Sequence, residues 1–257
     1  MKGFLETYGV AMFTLVLMAI LIAFAGPVGN MIKTNVNTQI QNVNEIGSER
    51  VKNVGRAEEP KEAVDYVYAY LDKNQELVIS SVDLQPNDTD LYDTESNFGK
   101  CELVNNGNKG QKWWSKKEQI LTVRFANGVK PTTCYEWFDS HTNLIEIKNI
   151  ENLYTNECTN MFAMFFNCKS LTTLDLRNFD TSKVVNMFQM FYNCRYLITL
   201  DVSKFDTNSV TNMSGMFSNC SKLTLDCSSW NVSNVTSHSH TDFNKNSPNV
   251  IPPTWTN

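Results

Sequence analysis

The chain has 257 residues, of which 42% are hydrophobic and 19% charged, with a formal net charge of −5. That length holds one or two domains with enough apolar side chain for a core. The acidic balance and the absence of any Lys/Arg run argue against nucleic acid as a partner. Seven cysteines without a C-x-x-C pair argue against a zinc ribbon and leave at least one thiol unpaired in a monomer.

Residues 1–28 are expected to be a transmembrane anchor or signal segment. Gly9 to Ala25 carries no charge over 17 residues, at the lower limit for a membrane span. Tyr8 and Phe24 stand where interfacial aromatics would. An uncleaved anchor competes with a signal peptide cut after Ala23-Phe24-Ala25 and with a buried helix. Lys2 is offset by Glu6, and Pro27 stands just behind the cut, so the anchor is preferred. The expected location is the cell membrane, single-pass, N-in/C-out, with membrane contact through residues 8–28. Signal cleavage would instead give a secreted chain.

Residues 29–62 read as stalk and linker. Ile32, Val36, Ile40 and Val43 keep helical spacing in an Asn/Gln-rich run. That fits a stalk helix, or a pairing helix over residues 31–46 that makes homo-oligomers. Residues 63–119 read as a small β-hairpin cap and loop: a strand over Val64–Leu71, a turn at Asp72–Gln75 and a return strand over Leu77–Ile79. The stretch 85–110, rich in Asn, Asp and Gly, is expected to be loop, with Trp113-Trp114 tucked against the cap.

Residues 120–243 are organised by a repeat. Asn160-Met161-x-x-Met164-Phe165-x-Asn167-Cys168 returns as Asn186-Met187-x-x-Met190-Phe191-x-Asn193-Cys194 and as Asn212-Met213-x-x-Met216-Phe217-x-Asn219-Cys220, at a constant step of 26 residues. A fixed period of this size is the signature of stacked units that cannot bury their apolar faces alone. Met161, Met164, Phe165 and Cys168 fall at i, i+3, i+4 and i+7, which predicts a short helix capped by the preceding Asn. Leu171-x-x-Leu174-Asp175-Leu176 and Leu197-x-x-Leu200-Asp201-Val202 alternate as a short strand would. The third unit is one residue shorter, with Leu223 and Leu225 in those places. The predicted core rows are therefore Met161, Met164, Phe165, Cys168, Leu171 and Leu174, then Met187, Met190, Phe191, Cys194, Leu197 and Leu200, then Met213, Met216, Phe217, Cys220, Leu223 and Leu225. A degenerate unit precedes them, with Cys134, Trp137, Phe138 and His141 in the places of Met161, Met164, Phe165 and Cys168. The expected fold is an α/β solenoid, leucine-rich-repeat-like, with one short helix and one short strand per unit. Residues 244–257, polar and holding three prolines, are expected to be a frayed tail or loose end cap.

Several segments carry a family likeness. They are Val123-Arg124-Phe125, Pro131-x-x-x-Tyr135-Glu136-Trp137-Phe138, Asn143-Leu144-x-Glu146-Ile147, Asn149-Ile150-Glu151-Asn152-Leu153 and the three Asn-Met-x-x-Met-Phe boxes. With them, the chain from about Tyr66 to Val235 resembles the BspA-like leucine-rich-repeat surface proteins of bacteria. The resemblance implies an extracytoplasmic binding or adhesion role without enzymatic chemistry. The chain departs from the pattern at Cys158, at His141 and at Ser237-His238-Ser239-His240, where a further Asn-Met box would begin.

No Ser/His/Asp order, paired carboxylates or Gly-rich phosphate loop stands out, so no enzyme and no cofactor are expected. His238-x-His240 with Asp242 has no converging partner, and His141 reads as an interior imidazole. The cysteine column Cys168, Cys194, Cys220 reads as small buried rungs, since parallel Cβ vectors suit a disulfide poorly. Cys101 and Cys134 are the better candidates for a pair. What packing explains least is a set of aromatics off the apolar stripe: Phe162, Phe166, Phe188, Tyr192 and Tyr196. Stacking would place them side by side, as a partner site or as a surface covered by another part of the chain. The expected function is a membrane-anchored surface protein whose repeats bind a protein or surface ligand. The rival expectation is a pilin-like or structural subunit that assembles through its N-terminal helix.

Overall fold

The chain from Arg56 to Asn257 forms one compact unit. The computed structural model describes residues 57–84, 94–103, 111–236 and 238–255. The anchor at 1–28 and the helix at 31–46 lie outside the described residues. Among the described residues no helix is long and apolar enough to cross a membrane. The single-pass, N-in/C-out placement and the transmembrane helix in the expected fold are corrected accordingly.

The first strands form an open sheet. β1 (Tyr66–Asp72) and β2 (Glu76–Ser80) make an antiparallel hairpin in which Leu71 faces Leu77 and Tyr68 faces Ser80. β3 (Thr94–Glu102) pairs antiparallel with β1. This strand lies inside the stretch expected to be loop. Its Thr-Glu-Ser-Asn-Phe-Gly-Lys sequence has no apolar alternation, and pairing with β1 is what fixes it as a strand. β4 (Thr122–Phe125) joins β2 in parallel and β5 (Glu146–Lys148) joins β4, giving the order β3-β1-β2-β4-β5. The hairpin therefore extends the edge of the sheet rather than covering a stacked face. Across β2, β4 and β5 the Glu76 carboxylate takes Arg124 Nε at 2.8 Å and Lys148 Nζ at 2.7 Å.

Beyond β5 the 26-residue units stack in register. β6 (Thr173–Asp175) pairs in parallel with β7 (Thr199–Asp201), Leu174 against Leu200. β8 (Leu225–Asp226) pairs with β9 (Val250–Ile251). The segment expected to be a frayed tail thus supplies a strand and buries Val250.

The α/β solenoid is overturned. Among the described residues there is no α-helix, only two 3-10 turns, Lys112–Lys116 and Ile150–Asn152. The strands fall into three separate small sheets instead of one continuous parallel sheet. The Asn-Met-x-x-Met-Phe segments are pairs of β-turns: Met164 N–H bonds Met161 O, and Cys168 N–H bonds Phe165 O. The third residue of each turn is left-handed, with φ of 50° at Ala163 and 59° at Asn167. The same two positions are left-handed in every tier, at Glu136 and Ser140, Gln189 and Asn193, Gly215 and Asn219, Asp242 and Asn246. Two consecutive turns also put i, i+3, i+4 and i+7 inward, so the apolar spacing alone does not separate them from a helix.

What decides is where the amides go. Met161, Ala163, Phe165 and Asn167 donate to Asn186, Phe188, Met190 and Tyr192 carbonyls of the next tier, at 2.7 to 2.9 Å. Met187, Gln189, Phe191 and Asn193 repeat this toward Asn212, Ser214, Met216 and Ser218. Each set of turns thus sends its N–H groups forward and its C=O groups back. Asn160, Asn186 and Asn212 accept the amide two residues on, capping a turn rather than a helix. The core rows named above lie buried, with Leu225 half-buried.

Candidate functional site

The turn edge of the stack carries two aromatic rows. Phe162 follows Met161 and Phe188 follows Met187, so the 26-residue step places their rings one over the other. Their centroids are 4.9 Å apart and their planes within 10°. Tyr135 heads this row, 4.8 Å from Phe162 and within 9° of parallel. Phe166 and Tyr192 form the second row at 4.9 Å and 5°. Tiers at the spacing of β-strands impose this face-to-face geometry. Ring faces are spent on one another, and ring edges meet solvent.

Phe162, Phe166, Phe188 and Tyr192 are half-buried, while Tyr196 is 58% exposed. The structure brings the first four together in two pairs. Tyr196 joins neither row among the described ring contacts and stands beside Ile198, equally exposed. Tyr135 was not among the expected residues. Its signal is in the sequence, one place after Cys134 as Phe162 is one place after Met161. Both rows end at the third unit, where Ser214 and Ser218 take the ring positions. Gly215 lies there at φ 63°, and a Cβ on it would come 3.1 Å from Gln189 Cγ and 3.6 Å from Tyr192 Cδ2. The tight neighbour is the flexible Gln189 side chain, and the positive φ is what favours glycine here.

The cysteine column has a polar role beneath these rows. Cys168, Cys194 and Cys220 Sγ donate to the carbonyls of Phe138, Phe165 and Phe191, one tier back, at 3.1, 3.1 and 3.0 Å. Ser247 Oγ makes the same bond to Phe217 O in the next tier. All seven cysteines are free and buried, Cys101 and Cys134 included. Burial pushes the Cys220 and Cys227 thiols up to about 12, so they stay protonated. His141 occupies the first rung. Burial lowers its imidazole to about 4 and keeps it neutral, with Nδ1 3.1 Å from Asp139 O. At the other end of the stack, the His240 ring lies on Trp255 at 4.3 Å instead of standing at a loose end.

A concavity lies on the strand edge. A cleft of about 810 Å³ opens between β7 and β8, lined by Asp201, Asp206 and Asp226 over Phe205 and Trp230.

Comparison with known proteins gives one family. Residues 132–254 match a family described as Mycoplasma protein of unknown function, DUF285. The matched stretch is the tiered part of the chain, from the degenerate first unit to β9. No curated protein and no solved structure shows significant similarity to the chain.

Proposed function

We propose that this protein is a protein-interaction or adhesion module, related to the BspA-like surface proteins, that binds through the aromatic rows on its turn edge. The observation that carries the reading is the set of half-buried, face-stacked rings Phe162–Phe188 and Phe166–Tyr192, the first row continued inward by the buried Tyr135. Rings fixed by backbone stacking lose little conformational freedom when a partner covers them, so their burial is well converted into affinity. Other side chains of the tiers are spent on packing and on bonds to neighbouring backbone, which favours recognition over catalysis.

The test is adhesion of beads coated with the full-length protein to cultured epithelial cells. Phe188→Ser with Tyr192→Ser is expected to abolish attachment, and Tyr196→Ser to weaken it. Near-ultraviolet circular dichroism checks folding. Attachment equal to wild type by a folded double variant removes the aromatic rows from the function.

A further inference from the structure

The stack is interrupted between β7 and β8. The third unit is one residue shorter between its cysteine and its strand than the unit before it, Cys220 to Leu225 against Cys194 to Leu200. The shorter arc does not bring β8 alongside β7, and the two strands belong to different sheets. Most of their Cα pairs stand more than 8 Å apart, against about 4.8 Å for neighbouring strands. The tiers nevertheless stay joined at both sides of the gap. Asn186 bridges Asn212, and Thr207 Oγ1 donates to Asn231 O at 2.8 Å. The gap is therefore a slot held open by fixed corners.

Its walls are two facing strand edges. In the β6–β7 ladder Thr199 N–H bonds Thr172 O, and Asp201 O accepts Leu176 N–H. Alternate residues of a parallel strand face opposite edges, so the N–H and C=O of Leu200 point away from β6, into the slot. On β8, Leu225 N–H bonds Asn249 O and Cys227 N–H bonds Ile251 O, which turns Asp226 N–H and C=O to the slot from the other side. Backbone groups that bond each other in a regular stack are here separated by the cleft. Its floor is apolar, from Phe205 and Trp230, which are half-buried and stacked at 6.1 Å. Its rim carries Asp201, Asp206 and Asp226, and no Lys or Arg lines it. Arg177 lies on the β6 side, held by Asp175 at 2.5 Å and reaching Asp201 at 3.5 Å.

We propose that this slot binds an extended peptide segment, inserted as a strand between β7 and β8, in which an apolar residue is flanked by basic ones. Strand alternation sets the pattern: the central side chain drops onto Phe205 and Trp230 while its two neighbours rise toward Asp201 and Asp226. Main-chain bonds to Leu200 and Asp226 hold the strand, and the carboxylates select its charge. The site is independent of the aromatic rows, which lie on another edge of the tiers.

The experiment titrates the full-length protein into a fluorescein-labelled peptide of alternating lysine and valine, read by anisotropy. Three comparisons accompany it: the glutamate–valine counterpart, the lysine peptide N-methylated at its central valine, and the Asp201→Asn, Asp226→Asn double variant. Asn keeps the side-chain oxygen that accepts Ser203 and Ser228 amides, so the variant retains its local turns. Saturable binding of the lysine peptide is expected. Its affinity should fall by roughly tenfold or more in the double variant and on N-methylation, with the glutamate peptide not binding. Absence of binding overturns the proposal. So does an N-methylated peptide that binds as tightly as its parent, which reduces the effect to bulk charge. Unchanged binding in the Phe188→Ser, Tyr192→Ser double variant separates the slot from the aromatic rows.

Discussion

Cys194 Sγ donates to the carbonyl of Phe165, 29 residues earlier and one tier back, at 3.1 Å in a fully buried setting. The thiol is thus a cross-tier strut, and Ser247 makes the equivalent contact with Phe217. Cys194→Ser should therefore stay within about 1 kcal/mol of wild type. Cys194→Ala removes one of the two donors to Phe165 O, the Cys168 N–H remaining, and opens a small cavity, at about 2 kcal/mol. Urea midpoints at constant m-value separate the two. Equal losses for Ser and Ala would mean that size alone matters at the rung.

Gln189 sits at φ 52° in the place that Gly215 takes one tier on. In a helix, Gln→Gly costs about 0.8 kcal/mol. In a left-handed turn position glycine relieves about 1 kcal/mol of Cβ strain. Gln189→Gly is therefore expected to raise the melting temperature. A fall would restore a helical description of this segment.

His141 gives the stack an acid-sensitive rung. Burial lowers its imidazole to about 4, against backbone bonds from Asp139 and Phe138 that favour protonation and with Lys117 opposing it. A histidine with a depressed folded pKa contributes stability that is complete above its unfolded pKa of about 6.5 and is lost as pH falls toward the folded value. Across that window the loss approaches about 3 kcal/mol. Denaturant titrations at several pH values between 4 and 7 should show it. His141→Cys, the residue of the other rungs, should flatten that part of the profile whatever its effect at neutral pH.

The backward-pointing carbonyls of the first tier need donors, because no turn tier precedes it among the described residues. Trp113 Nε1 donates to Trp137 O at 2.9 Å and Gln111 Nε2 to Tyr135 O at 3.1 Å. Trp113→Phe keeps an aromatic ring but leaves a buried carbonyl unpaired, and should cost roughly 1–3 kcal/mol. Gln111→Leu removes the amide that donates to the neighbouring Tyr135 carbonyl and should also lower the melting temperature. If both variants melt like wild type, the 3-10 turn Lys112–Lys116 is not the cap of the stack.

Much of the stacking was legible because it is written as repetition. A step of 26 residues places Met164 under Met190 and Met216, and all three lie fully buried. The aromatic rows follow from the same step, since any residue type repeated at the period must meet itself. The five-stranded sheet was only partly legible. β1 and β2 announce themselves by β-branched and aromatic residues, whereas β3 has no pattern of its own and exists through its partner.

The sequence by itself determined which side chains go inside and that successive units lie in register, because both depend on hydrophobic spacing and on period. Only the tertiary structure decided that the Met-Phe segments are turns rather than helices. A helix and a pair of β-turns share the i, i+3, i+4, i+7 face, and the choice falls to backbone amides that bond the next tier instead of their own. The break between β7 and β8 is of the same kind. One missing residue is visible in the chain, but whether it puckers a loop or opens a slot depends on how Thr207 and Asn231 hold the corners in space.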